Sequence, residues 1–150
     1  MAYRVALSML GDGAAAEDAV QDAYVQAHRG LKGFRGDASL RTWFMRIVVN
    51  SCKRHRRIWR RWVVGNDDVE RARAEELQQE AVPGDPGLRL RIEESVLKLP
   101  HRQRTAFVLR YNQELTIDEI AEVMGCASGT VKATLFKAVR KLRCSLKDLE

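Results

Sequence analysis

The sequence predicts an all-α protein made of two small helical domains joined by an acidic, flexible linker. Apolar residues recur at spacings of three and four along the chain, and no stretch alternates apolar and polar residues long enough to indicate a strand. Charge divides the chain similarly: residues 1–64 hold 12 Lys and Arg against 5 Asp and Glu, residues 65–87 hold 2 against 7, and residues 88–150 hold 12 against 8. Two basic modules flanking an acidic segment suit a protein that touches a polyanion at both ends, although a solvated basic surface is also common.

The first 64 residues predict three helices. The first covers residues 2–10 and ends at a Gly-Asp-Gly sequence, and the second covers about 15–30, with acidic residues near its positive N-terminal end. The glycine-rich segment 32–36 predicts a loop, after which either Asp37 or Ser39 caps the third helix. On that helix the spacing of three and four residues predicts an inward face made of four large residues: Trp43, Phe44, Ile47 and Val48.

The third helix becomes strongly basic in its second half. Between positions 46 and 61 there are seven Lys and Arg and no acid: Arg46, Lys53, Arg54, Arg56, Arg57, Arg60 and Arg61. Such a block repels itself without an anionic partner. Trp43, Trp59 and Trp62 accompany it, and their rings either stack on unpaired bases, at about 1–3 kcal/mol per base, or pack within the domain; for Trp43 a core position is at least as well supported.

Residues 65–87 predict the linker. This segment holds the acidic excess and has the pattern of a transient helix around 69–80. It ends in Pro83-Gly84-Asp85-Pro86-Gly87, a run that we expect to be non-helical.

The C-terminal residues 88–150 predict four helices, over about 88–97, 101–112, 116–124 and 128–145. The third of these begins at Thr116, and Glu119 follows three residues later, which is the pattern of a capping box. Its inward stripe is Ile117, Ile120, Ala121 and Met124.

A three-residue turn joins the last two helices and predicts a helix-turn-helix. It opens with Gly125, in the place where helices commonly end left-handed, and Ser128 then caps a helix whose inward residues are Val131, Leu135, Val139 and Leu142. The second helix of such a unit lies in the major groove of DNA. The side chains that face DNA are then Ser128, Gly129, Thr130, Lys132, Ala133, Phe136, Lys137 and Arg140. Any amphipathic helix hairpin with a lysine-rich outer face looks similar, but the capped turn favours DNA binding.

Composition argues against several other classes of protein. The three cysteines and three histidines have no spacing typical of a metal site, so we expect no metal and no cofactor. No apolar run is long enough to span a membrane and no export pattern begins the chain, which predicts a soluble, cytoplasmic protein. A nucleic-acid enzyme lacks support because no clustered carboxylates or nucleophile–base pair is apparent, so we expect no catalytic residues.

The ordered motifs of both halves resemble those of the extracytoplasmic-function sigma factors, the smallest branch of the sigma-70 family. In the first half the resemblance rests on residues 17–25 (Glu-Asp-Ala-Val-Gln-Asp-Ala-Tyr-Val), on residues 34–43 (Phe-Arg-Gly-Asp-Ala-Ser-Leu-Arg-Thr-Trp), and on Asn50 with the basic stretch after it. In the second half it rests on Leu99-Pro100, Gln103-Arg104, Phe107, Leu109-Arg110-Tyr111, Leu115-Thr116, Glu119-Ile120-Ala121 and Gly129-Thr130-Val131-Lys132.

The resemblance implies a division of labour between a region 2-like domain over residues 1–64 and a region 4-like domain over residues 88–150. The first would bind the clamp helices of core RNA polymerase through Asp18, Gln21, Asp22 and Val25, although the residues alone favour a solvated face for Asp18, Gln21 and Asp22. It would also open and read the minus-ten element through Phe34, Arg35, Gly36, Ser39, Thr42, Trp43, Arg46, Asn50, Lys53 and Arg54. The second would read the minus-thirty-five element, with its upstream helices on the polymerase flap and the linker directed toward the RNA exit path. An anti-sigma factor is a further implied partner.

Two departures from the family pattern affect these expectations. The family usually begins further upstream, so the first helix is expected to lack its N-terminal half. Ala133-Thr134 also stands where many members carry Ser-Arg, and an arginine there could read guanine. The alternative is a stand-alone helix-turn-helix regulator whose first domain senses a ligand or dimerises; it accounts for residues 88–150 but not for the motif at residues 34–43.

Overall fold

The computed structural model describes residues 1–62 and 84–147, with side chains as far as residue 57 in the first range. In these ranges there are helices and no strands, which confirms the all-α prediction. Most of the predicted linker and the side chains of Trp59 and Trp62 lie outside the described residues. The helices are α1 (Ala2–Leu10), α2 (Gly13–Gly30), α3 (Leu40–Trp62), α4 (Pro86–Leu97), α5 (His101–Tyr111), α6 (Ile117–Met124) and α7 (Ser128–Lys147), with a short 3₁₀ turn, Leu31–Gly33, after α2.

Local hydrogen bonds fix the helix ends of the N-terminal half. Gly11 ends α1 in the left-handed conformation (φ 72°), where its N–H donates to the Leu7 carbonyl. Asp12 caps α2 by accepting from the Ala15 N–H at 2.8 Å, so this helix begins two residues earlier than predicted. Of the two candidate caps for α3, Ser39 is the one used, since its Oγ accepts from the Thr42 N–H at 3.1 Å.

The start of α4 corrects the prediction that residues 83–87 are non-helical throughout. Asp85 caps this helix by accepting from the Gly87 N–H at 2.9 Å, and Pro86 and Gly87 form its first turn. Proline is tolerated there because the first N–H groups of a helix have no partner within it. The helix therefore begins two residues before the predicted start.

The inward face of α3 also differs from the predicted stripe. Val48 is fully buried as expected, but Trp43, Phe44 and Ile47 are only half-buried, and the core side chains are Met45, Val48, Val49 and Cys52. The face is rotated because α2 presents small residues, Ala16, Ala19 and Ala23, that let α3 approach closely. Ser51 Oγ donates to the Ala19 carbonyl at 2.7 Å across this contact.

The two halves of the chain share one hydrophobic core. Helix α1 packs on α4 and α5, and α3 packs on α6, so buried residues from both halves form a single cluster. At its centre the Arg104 side chain, 9% exposed, donates from Nη1 to the Met9 carbonyl at 2.7 Å. Its Nη2 donates to the carbonyls of Leu99, at 3.1 Å, and Leu97. One guanidinium therefore ties the last turn of α1 to the α4–α5 turn.

Further polar contacts lie around this buried arginine. Asn112 Nδ2 donates to Ser8 Oγ at 3.2 Å, and Thr105 Oγ1, whose proton is donated to the His101 carbonyl at 2.9 Å, lies 3.7 Å from the Met9 sulfur. On the α3 side, Arg41 donates to the Gln113 carbonyl. The interface between the halves thus combines apolar burial with directional hydrogen bonds.

Within the described residues no helix is both long and apolar enough to cross a membrane. All three cysteines are free, and burial raises the pKa of the Cys52 thiol to about 12. Cys52 is therefore protonated and unreactive at neutral pH, because the thiolate is the nucleophilic form.

We expect Arg104→Met to lower the free energy of unfolding by roughly 2–4 kcal/mol, because the substitution leaves buried carbonyls without a donor. Arg104→Lys should recover only part of this loss, since one ammonium cannot replace the planar fork. Urea unfolding followed by circular dichroism measures the effect, with the exposed Arg102→Met as control. Equal stability of Arg104→Met and the parent would contradict the role given to this side chain.

Candidate nucleic-acid interface

The helix-turn-helix is built from reciprocal hydrogen bonds at the start of α6. Thr116 Oγ1 accepts from the Glu119 N–H at 3.2 Å, and Glu119 Oε2 accepts from the Thr116 N–H at 2.8 Å, which confirms the predicted capping box. Gly125 ends the helix at φ 65°, as expected for the turn. In the predicted stripe Ile120 and Ala121 are buried, while Ile117 and Met124 are half-buried against the core.

Helix α7 is the second helix of this helix-turn-helix, and we call it the recognition helix. Its inward face packs on α6 and the core. Val131, Leu135 and Leu142 are buried as predicted, whereas Val139 is half-buried and Ala138 takes the central position. This packing determines which face of α7 is left for a partner.

The outer face of α7 carries the predicted DNA-facing residues. Phe136 is 69% exposed, which is unusual for a large aromatic side chain. Helix α7 has six Lys and Arg and no acid. The structure exposes seven of the eight predicted residues and leaves Ser128 half-buried: the exposed ones are Gly129, Thr130, Lys132, Ala133, Phe136, Lys137 and Arg140.

Two hydroxyl groups in the N-terminal half of α7 are already engaged within the protein. Ser128 Oγ donates to Asp118 Oδ1 of α6 at 2.6 Å, and Thr134 Oγ1 donates to the Thr130 carbonyl at 2.7 Å. Sequence reasoning missed Asp118, because its only signal was an acidic residue in the first turn of the preceding helix.

A groove beside the recognition helix gathers more positive charge. It has a volume of about 550 Å³, and its lining includes Lys98 from the end of α4 together with Lys137, Arg140 and Lys141. Lys137 and Arg140 therefore border both the outer face of α7 and this groove.

The N-terminal half presents a second basic face, along α3. Arg46, Asn50, Lys53 and Arg54 are all exposed, at spacings of four, three and one, so they share one side of the helix. Thr42 is not on that surface: it is 3% exposed, and its Oγ1 accepts from Ser39 Oγ at 2.8 Å. Thr42 therefore supports the loop from the interior and is not exposed for a partner, contrary to the prediction.

The loop before α3 is anchored by aromatic contacts. The ring centroids of Phe34 and Trp43 lie 5.2 Å apart, and a Cβ added to Gly30 would lie 3.3 Å from the Trp43 ring. Trp43 therefore sits between the loop and the end of α2. The other predicted loop residues, Arg35, Gly36 and Ser39, are exposed.

The acidic face of α2 lies partly against the basic helix. Asp18, Gln21 and Val25 are exposed, while Asp22 Oδ2 lies 2.5 Å from His55 Nε2 of α3. The Gln26 amide also lies against the Arg54 guanidinium. Two of the predicted binding residues, Asp22 and Arg54, thus have partners inside the domain.

Comparison with known proteins gives matches in both halves of the chain. Residues 1–63 match the family model for sigma-70 region 2, and residues 89–142 match that for sigma-70, region 4. The RNA polymerase sigma-H factor of Pseudomonas aeruginosa is 34% identical over 92% of this chain and 76% of its own length. The ECF RNA polymerase sigma factor SigW of Bacillus subtilis is 31% identical over 98% of this chain and 83% of its own.

Two solved structures share the arrangement of helices. One is the sigma factor RpoE in complex with the anti-sigma factor NepR from Bartonella quintana, with a TM-score of 0.73 and 23% identity over 97% of this chain and 89% of that one. The other is CnrH in complex with the cytosolic domain of CnrY, with a TM-score of 0.70 and 25% identity over 98% of this chain and 81% of that one.

Thr116→Ala should lower the free energy of unfolding by about 1 kcal/mol, because it removes the side-chain acceptor of the α6 cap. Thr116→Ser keeps the hydroxyl and is the matched control. Thermal unfolding followed by circular dichroism compares the three proteins. A Thr116→Ala protein as stable as the parent would show that the capping box contributes nothing measurable.

Proposed function

The chain belongs to the extracytoplasmic-function branch of the sigma-70 family, the sigma factors that direct core RNA polymerase to promoters, and on that premise we propose which of its surfaces bind polymerase and which bind DNA. A stand-alone helix-turn-helix regulator is not favoured, since it gives no reason for region 2 in residues 1–63. The role is one of binding and positioning, exercised in the cytoplasm where polymerase meets DNA.

The outer face of α7 binds the minus-thirty-five element in the major groove. The observation that carries this proposal is an exposed, acid-free face at the second helix of a capped helix-turn-helix. Lys132, Lys137 and Arg140 supply charge to phosphates, which fixes register without reading sequence. Ala133 and Phe136 meet base edges, where an apolar group contacts the thymine methyl.

The minus-ten element binds the exposed face of α3 and the loop before it. Arg46, Asn50 and Lys53 line one side of the helix, within reach of an unpaired strand. Flipping a base out of the duplex costs a few kcal/mol. Contacts between the flipped base and the loop must offset this cost. Phe34 and Trp43 hold that loop in place, and Arg35, Gly36 and Ser39 form its exposed surface.

The exposed face of α2 binds core polymerase. Asp18, Gln21 and Val25 are free of the contact that engages Asp22 with His55, and Val25 is 48% exposed. This combination of carboxylate, amide and apolar groups suits a helical partner surface. An anti-sigma factor is a further proposed partner, because the structurally similar RpoE was solved with one.

The packed arrangement of the two halves must open for promoter recognition. The minus-ten and minus-thirty-five elements are named for positions about 25 base pairs apart, which is about 85 Å along the duplex at about 3.4 Å per base pair. A packed chain of this length has a radius of gyration of about 15 Å. The interface formed by α1 and α3 with the C-terminal helices therefore prevents one molecule from contacting both elements together.

A disulfide across this interface tests the opening. Ser8 and Asn112, whose Oγ and Nδ2 atoms lie 3.2 Å apart, are changed to cysteine in a background with Cys126→Ser and Cys144→Ser, and non-reducing gel electrophoresis verifies that the disulfide forms. We expect the oxidised protein to lose promoter-specific transcription with core polymerase, and dithiothreitol to restore it. Each single cysteine variant is the control, and buried Cys52 does not interfere. Full activity of the oxidised protein would contradict opening.

Run-off transcription with core polymerase on a library of randomised promoters tests the assignment of surfaces. We expect Lys132→Ala to weaken binding to all selected promoters alike and to reduce the slope of log affinity against log salt by about one. Phe136→Ala should instead change the preferred bases of the minus-thirty-five element. If Phe136→Ala scales every promoter equally, the base-reading role is wrong; if the parent enriches no sequence at all, the promoter role is wrong.

A further inference from the structure

We propose that Asp118 sets which bases the start of the recognition helix accepts, by holding the proton of the Ser128 hydroxyl. The proposal rests on the DNA-binding role of α7 and adds a specificity determinant that lies on the neighbouring helix. Asp118 then selects a base without contacting it.

The geometry fixes the direction of this hydrogen bond. Ser128 Oγ lies 2.6 Å from Asp118 Oδ1, a short distance typical of a hydroxyl bound to a carboxylate. An ionised carboxylate only accepts hydrogen bonds, so the proton between the two groups belongs to Ser128. Ser128 is half-buried at the first residue of α7, whereas Asp118 is exposed in the first turn of α6.

A serine hydroxyl has one proton and two lone pairs. With the proton engaged by Asp118, Ser128 meets the DNA only as an acceptor. A free hydroxyl would rotate and either donate or accept, so it would tolerate any base. The contact with Asp118 therefore converts an unselective group into a selective one.

The major groove offers hydrogen-bond donors on only two of the four bases. Adenine presents its N6 amino group and cytosine its N4 amino group, whereas guanine and thymine present acceptors toward a single hydroxyl at the equivalent place. An acceptor-only Ser128 bonds to adenine or cytosine and is left facing a second acceptor at guanine or thymine. The predicted rule is thus an amino-bearing base at one position of the minus-thirty-five element.

The same pairing also limits what Ser128 can do toward the DNA backbone. A phosphate oxygen needs a donor, and the only hydroxyl proton of Ser128 points to Asp118. The negative charge of Asp118 also repels a phosphate here, which opposes the attraction of the helix N-terminus for anions. Phosphate contacts then fall to the cations of α7 further along, among them Lys132 and Lys137.

Selection from a promoter library randomised across the minus-thirty-five element, with the full chain and core polymerase, tests the proposal. For the parent we expect adenine or cytosine to exceed guanine and thymine about fivefold at one position, the effect of a single hydrogen bond. Asp118→Ala should reduce that preference to less than about twofold while other positions keep theirs. Ser128→Ala should flatten the same position, and adding Asp118→Ala to it should change nothing further.

Glu122→Ala is the matched control for loss of negative charge, since Glu122 is exposed one turn further along α6. It should leave the base preference as in the parent. Asp118→Ala retains the Thr116–Glu119 capping box, and circular dichroism verifies its fold. The proposal is overturned if Asp118→Ala keeps the parent's preference, if Ser128→Ala does not alter it, or if Glu122→Ala relaxes it equally. A parent that enriches no sequence would instead refute the proposed function.

Discussion

The buried guanidinium of Arg104 is the interaction on which the arrangement of the two halves depends. A charged group in this position is tolerated only because its donors meet the carbonyls of Met9, Leu97 and Leu99. The Met9 carbonyl belongs to the last turn of α1, where helix carbonyls lack partners and a positive charge is favourable. One side chain therefore completes a helix of the first half and braces a turn of the second, and the shared core forms around it.

Sequence patterns predicted the elements well where the deciding interactions are local. The capping box of Thr116 and Glu119 and the left-handed Gly125 involve residues close in the chain. Their spacing in the sequence is therefore sufficient to predict them. The start of α4 was missed because proline and glycine near Asp85 indicated a loop more strongly than a capped first turn. The inward face of α3 was misplaced because the small residues of α2 determine it, and periodicity on one helix does not show the shape of its neighbour.

The candidate site was predictable in outline for a similar reason. Exposure along α7 follows from helical spacing, and seven of the eight residues expected to face DNA are on the surface. Pairing between elements was not predictable: Asp22 with His55, Arg41 with Gln113, and Ser128 with Asp118 join residues whose relation depends on the packed structure. Counting charged residues predicted the sign of the net charge of each half. The charge available to a partner is smaller, because internal pairs such as these engage some of the charged side chains.

The contact of α1 and α3 with the C-terminal helices also affects how tightly any ligand that requires the open chain can bind. The apparent dissociation constant of such a ligand is the intrinsic constant divided by the fraction of molecules that are open. Each additional 1.4 kcal/mol or so in the closed interface therefore weakens apparent binding about tenfold without altering a single contact to the ligand. If promoter binding requires the open chain as proposed, contacts such as that of Ser8 with Asn112 would raise the concentration of polymerase needed before promoters are occupied.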